Sequence, residues 1–164
     1  MSKGRVWKYG DDVNTDVIFP GRYTYQLMEP AEMAKHAMED LDSEFAKNVK
    51  PADVVVAGKN FGCGSSREQA AACLRAAGVQ AVVAKSFARI YFRNAINLGL
   101  AVLQCEGASD ALNTGDEVEI DFAGGKIISG GSVFKFFPLP DSVIGIIEAG
   151  GLIEYTKKKL ATGR

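Results

Sequence analysis

Three short apolar runs, Asp53-Val54-Val55-Val56-Ala57, Ala81-Val82-Val83-Ala84 and Ala101-Val102-Leu103, are separated by stretches with helical spacing. None shows the polar and apolar alternation of a half-solvated strand, so each reads as a buried strand. The alanine-rich stretch from Glu68 to Ala77 ends at Gly78, and a second helix, capped by Ser86, runs to about Asn97 and closes at Gly99. The order is βαβαβ, which places the chain in the α/β class.

Around this centre the remaining segments add strands and helices. Val6-Trp7-Lys8-Tyr9 reads as a first strand, followed by a polar turn from Gly10 to Asp16, a turn at Pro20-Gly21, and a proline-started helix from about Glu29 or Pro30 to Met38. In the final third, Glu117-Val118-Glu119-Ile120-Asp121 alternates in strand fashion. A glycine turn at Gly124-Gly125 joins it to Lys126-Ile127-Ile128, and Ser132 to Phe136 follows, as antiparallel hairpins. A last helix runs from about Asp141 to Ala149 and stops at Gly150-Gly151, leaving Lys157-Lys158-Lys159 as a solvated basic tail. The 164 residues contain no internal repeat or long linker and are expected to form one domain, 1–164, with a mixed sheet.

The chemistry concentrates between the first buried strand and its helix, in Gly58-Lys59-Asn60-Phe61-Gly62-Cys63-Gly64-Ser65-Ser66-Arg67-Glu68-Gln69. Glycines permit positive φ and close approach of backbone N–H groups, and a helix start leaves N–H groups unpaired, so the turn has the build of an anion site. Arg67 adds a planar, charged fork suited to carboxylate or phosphate. A competing reading makes Ser65-Ser66-Arg67-Glu68 a capping box, with Ser65 as N-cap and Glu68 at N3. The segment matches neither GxxxxGK[ST] nor a dinucleotide-binding glycine pattern. Lys85, Arg89 and Arg93 either face an anion or partner, or are solvated. His36, the only histidine, sits on a helix without a partner pattern and reads as a surface or satisfied interior residue.

A net charge of -1 with both signs interspersed indicates neither nucleic acid nor a membrane surface as partner, and no apolar run approaches a membrane span. The start of the chain lacks the apolar core of a signal peptide, so a cytoplasmic protein is expected. Cys63, Cys73 and Cys105 are too few and too scattered for a disulfide framework or metal site; Cys63 alone shares the glycine turn.

Four blocks in order carry a resemblance: Gly10 to Asp16, Gly58 to Glu68, Ala84 to Leu100, and Glu148 to Tyr155. They resemble the small subunit of 3-isopropylmalate dehydratase and related hydro-lyases of the aconitase superfamily, over nearly the whole chain. The resemblance implies a three-layer β/β/α swivelling domain that closes over a separate large subunit holding a four-iron, four-sulfur cluster, with no metal or cofactor on this chain. It implies interconversion of a 2-hydroxy and a 3-hydroxy diacid by loss and return of water, in leucine biosynthesis for isopropylmalate. At matching positions, Ser65 would be the base, Asp16 an active-site aspartate that orients other groups, and Arg67, Ser66 and Gly64 would bind a substrate carboxylate, Arg67 bidentately.

Substrate choice in this family is read by the loop after Pro20-Gly21, here Arg22 to Pro30, which is about one residue longer than the family pattern. Tyr25, Leu27 and Met28 suit an apolar substituent, and no arginine stands where an extra carboxylate would be met. Glu68-Gln69-Ala70 is closer to homoaconitase-type subunits. Alternatives therefore remain: a subunit of 2,3-dimethylmalate dehydratase, citraconate hydratase or homoaconitase. From other classes come a non-catalytic anion-binding module and, with only His36 to complete a triad, a serine hydrolase.

Overall fold

The computed structural model describes residues 2–163 and contains a seven-stranded sheet. Its strands are β1 (Lys3–Lys8), β2 (Val54–Val56), β3 (Ala81–Ala84), β4 (Ala101–Gln104), β5 (Glu117–Asp121), β6 (Lys126–Ser129) and β7 (Ser132–Lys135), in the order β4-β3-β2-β1-β5-β6-β7. β1 to β4 pair in parallel, and β5 to β7 are joined antiparallel. β1 belongs to both halves: Val6–Lys8 pair with β2, while Lys3–Arg5 pair with β5. A glycine stands at this changeover because a Cβ on Gly4 would lie 1.8 Å from the Ala52 carbonyl oxygen.

The alternation of side chains along the parallel strands makes two cores. Val55, Val82 and Val102 point to one face, where they meet α4 (Gln69–Ala76) and α5 (Arg89–Asn97) through Ala71, Leu74, Tyr91 and Ala95. Val54, Val56, Val83 and Leu103 point to the other face, onto Val118, Ile120 and Ile127 of the antiparallel strands. The sheet therefore curls over itself, giving a β/β/α arrangement with mixed strands. Asp53, 2% exposed, fastens the start of β2 to β1: its carboxylate accepts from the Arg5 and Lys50 N–H groups at 2.9 and 3.0 Å and from Trp7 Nε1 at 2.9 Å.

Several boundaries differ from the sequence reading. β1 begins three residues early, at Lys3, because the ladder to β5 includes the polar Lys3 and Arg5, which carry no apolar signal. The proline-started helix α2 (Pro30–Lys35) stops before Met38, which adopts φ 60° and buries its side chain completely. α4 starts at Gln69, with Glu68 at the N-cap, so Ser65 does not cap it and no capping box forms. Ser86 does not cap α5 either; Ala88 holds that place and the Ser86 hydroxyl accepts from the Asn60 N–H at 2.8 Å. The short helices α1 (Thr15–Ile18), α3 (Phe45–Asn48) and α6 (Glu106–Ala111) were not anticipated. After α7 (Asp141–Ala149) the basic tail is part of a helix, α8 (Leu152–Ala161), with Lys157 to Lys159 exposed on it.

Replacing Asp53 by alanine leaves three partly buried donors without their acceptor. Asp53→Ala is expected to cost roughly 3 kcal/mol of stability in urea unfolding, and a loss below about 0.5 kcal/mol would contradict this role.

Candidate active site

The turn between β2 and α4 is held against the start of α1. The Thr15 N–H donates to the Cys63 carbonyl at 2.8 Å, and the Gly62 N–H donates to the Val13 carbonyl at 2.8 Å. Gly62 (φ 83°) packs so closely on Tyr91 that a Cβ would lie 2.2 Å from the ring, and Gly64 (φ 99°) continues the left-handed path. Ser65 and Ser66 are thereby turned to solvent. The N–H groups of Gly64, Ser65 and Ser66 donate to no protein acceptor among the described residues. Three successive free donors of this kind have the chemistry to meet an anion.

Ser65 has one hydroxyl neighbour. Thr15, 2% exposed, donates from Oγ1 to the Ser65 carbonyl at 3.0 Å, and its Oγ1 stands 3.4 Å from Ser65 Oγ. With the Thr15 proton committed to the carbonyl, the hydroxyl contact has Ser65 donating, which leaves the lone pairs of Ser65 Oγ open. Thr15 was not singled out as a site residue in the sequence. Its contact with Ser65 spans fifty residues and leaves no local pattern.

Arg67 lies beneath this surface, 9% exposed. Its Nη2 donates to the carbonyls of Thr15, at 2.8 Å, and of Phe19, while Nη1 donates to Thr24 Oγ1 at 2.6 Å. Asp16, whose side chain is 69% exposed, brings Oδ1 to 3.5 Å from Nη2 and is the guanidinium's one carboxylate neighbour among the described residues. Both two-nitrogen edges of a guanidinium include Nη2, and both Nη2 protons are committed to carbonyls. The fork expected to grip a carboxylate bidentately is therefore not free in this arrangement. What remains is one Nη1 proton and Nε, which is buried without a partner.

A cavity of about 280 Å³ opens here, walled by Thr15, Gly64, Ser65, Ser66, Arg67, and by Arg89, Ile90 and Asn94 from α5. Arg89 thus joins the site. Arg93 does not line it, and Lys85 lies apart, ion-paired to Asp110 at 2.6 Å. Tyr25 and Leu27 are fully exposed and stand outside the cavity, while Met28 is half-buried against the helical core. His36 pairs with Glu39 at 2.9 Å and stacks on Tyr23 with ring centroids 4.2 Å apart, so it is a satisfied interior residue. Burial and the Asp12 carboxylate push the Cys63 thiol up, which leaves it protonated at neutral pH and a poor nucleophile. Among the described residues no three His, Cys, Asp or Glu side chains gather as a metal set.

Residues 19–107 match the family model of the aconitase C-terminal domain. The chain is 51% identical to the 3-isopropylmalate dehydratase small subunit of Thermodesulfovibrio yellowstonii, over 97% of this chain and 95% of that one. It is 50% identical to the isopropylmalate/citramalate isomerase small subunit of Methanocaldococcus jannaschii, again over 97% of this chain and 95% of the relative. The crystal structure of a 3-isopropylmalate dehydratase from M. jannaschii superposes with a TM-score of 0.91 at 45% identity, covering 98% of this chain and 96% of that one.

The two central residues differ in what they hold. Arg67→Lys removes bonds to two carbonyls and a hydroxyl and is expected to lower the stability of the isolated chain by roughly 1–3 kcal/mol. Ser65→Ala, which loses only a 3.4 Å contact at the surface, should stay within about 0.5 kcal/mol of the parent. Thermal and urea unfolding of the two variants side by side checks the order; equal losses would contradict it.

Proposed function

The chain belongs to the family of 3-isopropylmalate dehydratase small subunits, built on the aconitase C-terminal domain, and we propose how it serves that reaction. In this reading it is one swivelling domain that contributes half of an active site, working with a large subunit on 2-isopropylmalate and 3-isopropylmalate in leucine biosynthesis. The observation that carries the reading is Ser65, held outward by the glycine turn beside unpaired N–H groups and directly above a buried arginine.

Ser65 Oγ takes the proton from the carbon next to a substrate carboxylate. A serine alkoxide is unstable in water and needs preorganised positive potential. The unpaired N–H groups of the turn supply it, and so does the Arg67 charge. Thr15 can rotate its proton from the Ser65 carbonyl to Ser65 Oγ, 3.4 Å away, as that oxygen becomes negative. Ser66 and the Gly64 N–H bind the carboxylate, with Arg67 contributing the remaining Nη1 proton. Asp16 orients Arg67.

The three cysteines offer no common site for a four-iron, four-sulfur cluster among the described residues. Cys73 is buried against the Ile18 carbonyl and Cys105 against that of Lys135, while Cys63 lies in the glycine turn, and they share no metal set among the described residues. The cluster belongs, in this proposal, to the large subunit. The setting we propose is the cytoplasm, where free thiols persist.

Within the family, the structure favours a diacid with an apolar substituent. Arg22, the one arginine of the loop, is paired with Asp40 at 3.0 Å and Glu39 at 3.3 Å and does not line the cavity where a third carboxylate would be met. This weighs against homoaconitase activity. A smaller methylated diacid remains the second reading, because the M. jannaschii relative is named for citramalate as well as isopropylmalate.

The test is a hydration assay of this chain, reconstituted anaerobically with its cluster-loaded large subunit, on isopropylmalate, citramalate, dimethylmalate and homocitrate. Turnover is expected with the first and not with the isolated chain. Ser65→Ala should reduce it by at least about 100-fold; near-normal rates in that variant would sink the base assignment. Tight diacid binding by the isolated chain, with no turnover in the complex, would favour an anion-binding module instead.

A further inference from the structure

The loop after Pro20 has an anchored base and a free tip. At the base, Arg22 is paired to Asp40 and Glu39, and Tyr23 stacks on His36. At the tip, Tyr25 and Leu27 are fully exposed. Between them stands Thr24, bonded four ways, its N–H closing the turn on the Gly21 carbonyl at 3.1 Å. Its hydroxyl donates to the Gly21 carbonyl at 2.7 Å and accepts from Arg67 Nη1 at 2.6 Å, and its own carbonyl accepts from Gln69 Nε2 at 3.2 Å.

We propose that Thr24 is a positioning residue that couples the loop presenting Tyr25 and Leu27 to Arg67, with Gln69 as the second tether. The inference rests on the functional reading above, in which Arg67 meets the substrate's carboxylate, and on the role in substrate choice that the resemblance gives the loop, whose tip would meet the substituent once substrate and large subunit are in place. The donors on Arg67 and Gln69 lie at the entrance to α4, more than forty residues along the chain from their acceptor. A local turn at Gly21–Thr24 needs only the bond within the loop. The two long-range bonds add something that turn does not require: they fix the base of the tip relative to one guanidinium.

The geometry has a direct consequence for selectivity. The side chains at the tip have no partner among the described residues, so their position follows from the anchors on either side, the half-buried Met28 and Thr24, and Thr24 is the one tied to the guanidinium. A hydrogen bond from a charged donor is among the stronger ones and holds that tie. Gln69 also acquires a reason to be glutamine, since its amide reaches the Thr24 carbonyl while its backbone opens the helix.

The experiment uses the reconstituted two-subunit enzyme with isopropylmalate and citramalate as paired substrates. Thr24→Val keeps the shape and removes the hydroxyl; Gln69→Met keeps the length and removes the amide donor. Thr24→Val is expected to raise KM for isopropylmalate about tenfold and to lower the ratio of kcat/KM values between the two substrates by a similar factor. Gln69→Met should move the ratio in the same direction, and Thr24→Ser should restore it. A role confined to folding would reduce kcat for both substrates together and leave KM and the ratio where they were, which would overturn the inference. If Thr24→Val does not fold, Gln69→Met decides: an unchanged ratio overturns the inference and a lowered one supports it. Absence of turnover by the parent complex on both diacids would overturn the functional reading and this inference with it, whereas normal parent turnover with unchanged ratios in the variants overturns the inference alone.

Discussion

The guanidinium of Arg67 joins two stretches of chain about fifty residues apart, and the site exists because of that junction. Buried charge is costly unless it is hydrogen-bonded on several sides. Here the carbonyls of Thr15 and Phe19 and the hydroxyl of Thr24 do this, with Asp16 nearby as the counter-charge. Each of those acceptors lies within residues 15–24, so satisfying the arginine folds that segment against the glycine turn. The same contact that removes Arg67 from solvent brings Thr15 to Ser65.

This changes how the glycine turn is understood. A capping box would bind Ser65 to the first turn of α4 and consume its oxygen as an acceptor. Instead the helix begins at Gln69, the Arg67 N–H bonds back to the Ser65 carbonyl at 3.0 Å, and the serine hydroxyl stays outside the helix. Ser65 faces the cavity with its lone pairs open to whatever the cavity holds. The positive φ angles at Gly62 and Gly64 make that path possible, and the Tyr91 ring against Gly62 excludes any other residue at that position.

What the sequence makes legible follows the range of the interactions. The buried strands show because an uninterrupted apolar run such as Val54-Val55-Val56 has few other uses, and their order yields the α/β centre. The last hairpins show through alternation in residues 117–121. Ser65-x-x-Glu68 and Ser86 look like caps to a reader of short patterns, yet tertiary contacts take both serines: Thr15 approaches the first and the Asn60 N–H the second. Thr15, Asp53 and Thr24 are ordinary polar residues by type. Their importance lies in partners more than forty residues away. Arg67 was legible as a charged group in a glycine turn, but not as a residue whose Nη2 is already occupied.

That occupancy sets a condition on the chemistry. An arginine free on the surface could take a carboxylate at no structural expense, but would not hold residues 15–24. Arg67 does hold them, so any grip through both nitrogens of one edge must displace the carbonyl of Thr15 or Phe19, and either displacement loosens the segment that carries Asp16 and ends at Thr24. A single contact through the Nη1 proton not used by Thr24 disturbs none of these bonds, whereas Nε, buried without a protein partner among the described residues, is out of a ligand's reach unless its surroundings open. Under the proposed function the lower-cost mode of binding would therefore be the one-point contact, with Ser66 and the turn N–H groups taking the other carboxylate oxygen. In that arrangement the arginine can bind substrate and keep the site assembled at the same time.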